Sequence, residues 1–151
     1  MKRSMIICAK NGKVGNDMTS VYLDSCMIIG LIEGDAEQRK ALKRYLMGKQ
    51  VFSSELVRME SRLLAIRQHK LEIVQLYDAF FSGCEFVDLT RIVFDRATSL
   101  RAENNLKTPD ALHLASALAS GCEAFCTNDK QLCKTASNHI QVIDWGILLN
   151  A

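Results

Sequence analysis

TPDALHLASALASGCEAFCTND, residues 108–129, decides how the rest of the chain is read. Thr108 suits an N-cap, Pro109 suits the first helical position because its missing N–H has no partner to lose there, and Asp110 then falls in the first turn. That turn is the positive end of the helix dipole, where a carboxylate is favoured. Ala111, Leu112, Leu114, Ala115, Leu118 and Ala119 make the helix apolar on more than one face, which predicts burial, and Gly121 offers a left-handed stop. Ala124, Phe125 and Cys126 then form a short apolar run suited to a buried parallel strand, with Thr127, Asn128 and Asp129 at its carboxyl end. In an open α/β sheet that end is where ligands sit.

Upstream the same arrangement recurs. Val21, Tyr22 and Leu23 form a strand that runs into Asp24 and Ser25, and the helix that follows carries Met27, Ile28, Ile29, Leu31 and Ile32. Asp24, like Asp129, is an acid where a strand ends and a helix starts. Residues 36–47 form a second helix, with Glu37, Arg39, Lys40, Lys43 and Arg44 on its wet side. Val51 and Phe52 make a brief strand, after which Ser53 or Ser54 caps a long helix expected to pack through Leu56, Met59, Leu63, Leu64 and Ile66. Glu55 in its first turn complements the dipole, whereas Glu60, further in and close to the apolar side, has no such explanation.

Residues 71–81 form another helix, closed by Gly83. Residues 84–89 read as a strand and 90–103 as a helix with Ile92, Val93 and Ala97 inward. Beyond the opening stretch, residues 130–136 make a short helix and 141–143 a last strand. Strands and helices alternate throughout, which calls for a parallel sheet with helices on both faces.

A chain of 151 residues with 48% apolar residues suits one domain with a single core. Nineteen Lys plus Arg against seventeen Asp plus Glu leave a formal charge of +2, so no strong basic field advertises nucleic acid, and such a substrate would be held by local Arg and Lys. No apolar run reaches the length of a membrane span and no signal-peptide core opens the chain, so the expected home is the cytoplasm, away from membranes. Residues 1–17 read as an extension rich in turn formers, with room for a short strand at 5–9 and with Met18 a candidate initiator. Residues 18–151 are then a single domain.

Six cysteines are present, most of them in or beside apolar segments, where a reduced Cys behaves as a small hydrophobe. Cys122, Cys126, Cys133 and His139 lack the close paired spacing of a zinc site, which favours a structural reading.

Asp24, Glu60, Asp110 and Asp129 come from four separate segments, and three of them sit at a strand end or a helix start. Acids gathered at one sheet edge repel, and a divalent cation removes that conflict. Mg²⁺ or Mn²⁺ prefers oxygen ligands, so carboxylates without His or Cys suit it, and the ion can polarise a phosphate oxygen and acidify water. Taken singly, Asp24 and Asp129 also read as helix caps, and Asp110 as a dipole partner. Ser25, Thr127 and Asn128 either orient the acids or cap. Asp88 and Asp144 also follow apolar strands and are candidates for a peripheral place. His113, one turn past Asp110, is expected to pack in the core.

The segments VYLDSCMIIGLI, SSELVRMES, TPDALHLASAL and FCTND, in this order and spacing, resemble the PIN-domain family, especially its VapC-type ribonuclease toxins. The resemblance covers roughly residues 18–145. It implies a Rossmann-like α/β/α sandwich with a mainly parallel sheet, metal-dependent cleavage of RNA, a homodimer, and inhibition by a small antitoxin protein whose peptide fills a groove beside the active site. Residue by residue, it carries the catalytic and metal-binding acids onto Asp24, Glu60, Asp110 and Asp129, and assigns no general-base role to His113.

Arg58, Arg62 and Arg67 on the Glu60 helix and Lys107 before Asp110 are candidates to hold RNA phosphates, with a solvated helix face as the alternative. Apolar residues at 27–32 and 42–47 are either a partner groove or ordinary core. A non-catalytic PIN-like module that binds RNA or protein is the rival reading, although it has little use for four clustered acids. A receiver-type signalling domain is disfavoured, because Asp24 stands alone after its strand and Ile143 is followed by Asp144 and Trp145 rather than Lys.

Overall fold

The structure, a computed structural model, describes residues 18–151. The expected extension and the short strand at 5–9 lie outside the described residues. Within them, β1 (Ser20–Leu23) is followed by α1 (Ser25–Glu33) and α2 (Ala36–Leu46), and β2 (Gln50–Ser53) by α3 (Glu55–Arg67) and α4 (Leu71–Ser82). Then come β3 (Glu85–Phe86), α5 (Arg91–Glu103), α6 (Thr108–Ala119), β4 (Ala124–Cys126), α7 (Lys130–Ala136), β5 (Gln141–Ile143) and α8 (Trp145–Leu149).

The five strands form one sheet in the order β3-β2-β1-β4-β5, and every neighbouring pair is parallel. From β1 the chain steps outward through β2 to β3, then crosses back to β4 and steps the other way to β5. Right-handed crossovers therefore lay α1 to α4 on one face and α5 to α7 on the other, and α8, after the last strand, returns to pack on α1 and α2. The short β1 and β4 lie at its centre, where Val21, Tyr22, Leu23, Ala124, Phe125 and Cys126 are buried. Tyr22 stacks on Phe125 with ring centroids 5.8 Å apart.

Capping residues set the helix starts. Asp35 caps α2, Ser54 caps α3, Thr90 caps α5, Asp129 caps α7 and Asp144 caps α8, each through a side-chain oxygen that accepts from a backbone N–H three residues on. Thr108 departs from the expected role. It lies inside α6, Lys107 occupies the cap position, and the Thr108 hydroxyl instead accepts from the Arg101 guanidinium at 3.0 Å. Arg101 also donates to the carbonyl of Leu106, so one side chain braces the α5–α6 connection. Gly121 has φ +74°, the left-handed conformation expected after α6.

The largest correction concerns α3. It is buried through Val57, Ser61 and Ala65, whereas Met59, Leu63, Leu64 and Ile66 are exposed and Leu56 is half-buried. At about 100° per residue, Met59, Leu63 and Ile66 form a stripe on the side opposite the buried one, so the helix is apolar on two faces and the small one won the core. Likewise Ile92 of α5 is 74% exposed while Val93, Ala97 and Leu100 pack inward. The expected strand at 84–89 contracts to two residues, and α8, absent from the sequence reading, continues the chain after β5. Met27, Ile28, Leu31, Leu42 and Leu46 belong to the core, which leaves only Ile29 and Met47 of the supposed partner groove exposed.

Candidate active site

Strand order reverses between β1 and β4, and at such a switch point the chain leaves neighbouring strands in opposite directions and opens a crevice at their carboxyl ends. Leu23 pairs with Cys126 in register, and the Asp24 amide donates to the Cys126 carbonyl at 2.9 Å. Asp24 and Thr127 therefore leave the sheet side by side. The buried Thr127 hydroxyl donates to Asp24 Oδ2 at 2.8 Å and accepts from the Asp129 amide at 3.2 Å. Asp24 Oδ1 accepts from the Ser25 amide at 2.7 Å, and its other oxygen from the Cys26 thiol at 3.6 Å.

Glu60 reaches this crevice from α3. Its Oε1 lies 2.8 Å from Nε2 of His113, which is 1% exposed and also 3.8 Å from Asp24 Oδ1. Burial raises the Glu60 carboxyl, but the His113 imidazole bonded to it, with a further bond from Ser25, outweighs that and leaves the group below its ordinary value. Asp110 shifts the opposite way. Burial raises it first, and the negative charges of Asp24, Asp129 and Glu60 push it further against a smaller pull from His113. The four expected acids thus share one electrostatic environment. Asp129 adds a structural task, since its Oδ1 accepts from the Leu132 amide at 2.9 Å and caps α7.

His113 is the correction to the expected site. It is buried, as expected, but it bonds to a site acid instead of only packing, so the cluster is not carboxylate alone. The sequence signal was an imidazole one helical turn from Asp110 in an otherwise apolar helix. Among the described residues, Asp24, Glu60 and His113 form the group able to hold a metal ion, with one ligand atom from each within 4.8 Å of the others. The donors suit a hard divalent ion: the oxygens come from clustered carboxylates, and Glu60 Oε1, which takes one bond, keeps a further lone pair. The Asp110 carboxyl, raised by burial and then by Asp24 and Asp129, shows an anionic crowding that such an ion relieves.

The remaining candidates separate. Ser25 sits against Asp24 and Glu60, and Thr127 fixes Asp24. Asn128 turns away, its Oδ1 accepting from the Trp145 amide at 3.4 Å. Arg58 and Arg62 face α4, 3.7 and 3.5 Å from Asp78, roughly 160° around α3 from Glu60 at the helical repeat. Lys107 is exposed at the start of α6. Asp144 caps α8 and Asp88 is exposed beyond β3. The Cys26 thiol is pushed up to about 12 by burial and by Asp24, so it stays protonated beside the acids. Cys122 and Cys126 are buried, in keeping with their structural reading.

The PIN domain family model matches residues 21–138. No curated protein matches the sequence. Among solved structures, the chain is similar to one in a toxin–antitoxin complex from Klebsiella pneumoniae, with 25% identity, a TM-score of 0.66, and coverage of 82% of this chain and 95% of that one. It is also similar to a chain of VapBC2 from Rickettsia felis bound to a promoter DNA fragment, with 19% identity, a TM-score of 0.68, and coverage of 84% and 99%. VapC20 of Mycobacterium tuberculosis, described as a toxin that cleaves the sarcin–ricin loop, matches with 18% identity, a TM-score of 0.62, and coverage of 80% and 95%.

Proposed function

The chain belongs to the PIN domain family, and from that premise we propose that it is a Mg²⁺- or Mn²⁺-dependent endoribonuclease, the toxin of a toxin–antitoxin pair. One observation carries the reading: Asp24, Glu60 and His113 bring ligand atoms within 4.8 Å of one another at the switch point of the sheet, where Asp110, raised by burial and then by Asp24 and Asp129, feels the same charges. Asp24, Glu60, Asp110 and Asp129 would hold the cation directly or through water. Once bound, it would supply Lewis acidity to a phosphate oxygen and lower the pKa of water.

The chain's own residues do the rest. Thr127 and the Ser25 amide fix both oxygens of Asp24, so its carboxylate keeps one orientation. His113 holds Glu60 through Oε1 and, with Ser25, keeps its carboxyl below the ordinary value. Lys107, exposed three residues before Asp110, would take an RNA phosphate, while Arg58 and Arg62 are engaged with Asp78. The partner reading rests on likeness to the Klebsiella toxin–antitoxin complex and on the apolar stripe of α3. Met59, Leu63 and Ile66 are 58, 50 and 47% exposed, at a spacing that suits the side of another helix, and a second copy of the chain is the proposed cover.

The test is cleavage of RNA by the purified chain with Mg²⁺, with Mn²⁺ and with EDTA, alongside Asp24→Asn and Asp110→Asn. Metal-dependent cleavage lost in both variants is expected. RNA bound but never cut would favour a non-catalytic module, and full activity in either variant would overturn the assignment of the acids.

A further inference from the structure

Glu60 is tied to its own helix by a chain of buried side chains that leaves the helix and returns to it. Ser54, the cap of α3, takes the Val57 amide on its Oγ at 3.3 Å. That Oγ is 2.9 Å from the Tyr22 hydroxyl on β1, the hydroxyl is 3.0 Å from His113 Nδ1 on α6, and His113 Nε2 is 2.8 Å from Glu60 Oε1. Ser54, Tyr22 and His113 are all buried.

The two ends of this chain are fixed in kind. The Val57 amide can only donate, and an ionised Glu60 carboxylate can only accept. His113 must therefore carry a proton on Nε2. With Nδ1 bare, Tyr22 donates to it, and the Tyr22 oxygen is left to accept the Ser54 hydroxyl proton. Every proton then finds an acceptor and all bonds run one way, from Val57 through Ser54, Tyr22 and His113 to Glu60.

We infer that His113 is a positioning residue for the site: the one-way chain from the α3 cap holds it in the Nε2–H tautomer, and in that form it orients Glu60 toward the cation. The inference rests on the proposed role of Glu60 in a metal site. It places Tyr22, Ser54 and His113 in the function without contact to substrate. It also makes the imidazole a donor to a ligand, the usual second-layer arrangement with the roles of carboxylate and histidine exchanged.

The experiment uses the full chain and two readouts besides cleavage: imidazole ¹⁵N NMR for the tautomer, and Mn²⁺ titration by electron paramagnetic resonance. The parent is expected to show protonated Nε2 and bare Nδ1. His113→Leu should weaken Mn²⁺ binding by roughly 10–100-fold, the usual loss for a partner behind a ligand. His113→Gln, whose side-chain amide can still donate to Glu60, should recover most of it. Tyr22→Phe, which removes both the donor to Nδ1 and the acceptor of the Ser54 proton, should lower the thermal melt, leave the His113 ring less firmly held, and bind Mn²⁺ with intermediate strength.

An Nδ1–H tautomer in the parent, nitrogen hyperfine coupling that makes His113 itself a Mn²⁺ ligand, or equal Mn²⁺ affinity across the series would each overturn the inference. If His113→Leu fails to fold, His113→Gln and Tyr22→Phe carry the comparison. The expected binding series without RNA cleavage would sink the nuclease reading and leave the positioning role standing; cleavage with a flat series would do the reverse. A parent chain that binds no Mn²⁺ would overturn both.

Discussion

Thr127, the first residue past β4, donates its hydroxyl to Asp24, the first residue past β1, across 2.8 Å and 103 positions of sequence. Neighbouring strand ends are thereby locked through the side chain that shapes the site. Thr127→Val keeps the volume and removes the donor, and should cut Mn²⁺ affinity and cleavage by roughly 10–100-fold. Thr127→Ser should restore both to within a few-fold. Titration of the metal beside the cleavage assay checks this, and equal values for Val and Thr would deny the bond a functional role.

Asp110 is held above its ordinary carboxyl value by burial and then by Asp24 and Asp129. A folded-state pKa above the unfolded one means that the folded protein binds the proton more tightly, so this group lowers metal-free stability as pH rises through its folded value. Asp110→Asn should therefore melt higher than the parent in EDTA at neutral pH, and the gap should close on acidification. Glu60, lowered by His113, has the opposite sign: its contribution is present above its unfolded value and is lost as pH falls through the folded one. Since Glu60 is common to both proteins, the difference between their melts isolates Asp110. Added Mn²⁺ should raise the melt of the parent and do little for the variant.

Gly30 lies mid-helix in α1, under the indole of Trp145. A Cβ built there would sit 2.5 Å from Trp145 Cζ2. Gly30→Ala gains about 1 kcal/mol of helix propensity but forces the ring aside at about 1–3 kcal/mol, for a net loss of up to about 2 kcal/mol. Because the chain has one Trp, its fluorescence reports the displacement directly. A red-shifted emission with a lower denaturation midpoint is expected, and an unshifted spectrum with a raised midpoint would contradict this packing.

Leu63, at the middle of the outward stripe of α3, is 50% exposed. Leu63→Arg should change monomer stability by no more than about 0.5 kcal/mol, as for a surface site. On the proposal that a second copy covers this stripe, the parent should scatter light as a dimer and the variant as a monomer. A dimer that survives the change would place the interface elsewhere.

Much of this protein was legible along the chain, because caps, dipoles and strand ends are set by near neighbours. Asp24, Ser54 and Asp129 start their helices where the sequence puts them, and α7 and β5 have the expected bounds. The order of acids likewise pointed to one crevice, since the ends of parallel strands share an edge. Tertiary structure decided which face of α3 is buried: a helix apolar on two sides carries no local preference, and the close approach of Val57, Ser61 and Ala65 to the rest of the domain settled it. It also decided what His113 does, for its partners Glu60 and Tyr22 lie 53 and 91 residues away and only the folded sheet brings them within hydrogen-bond reach.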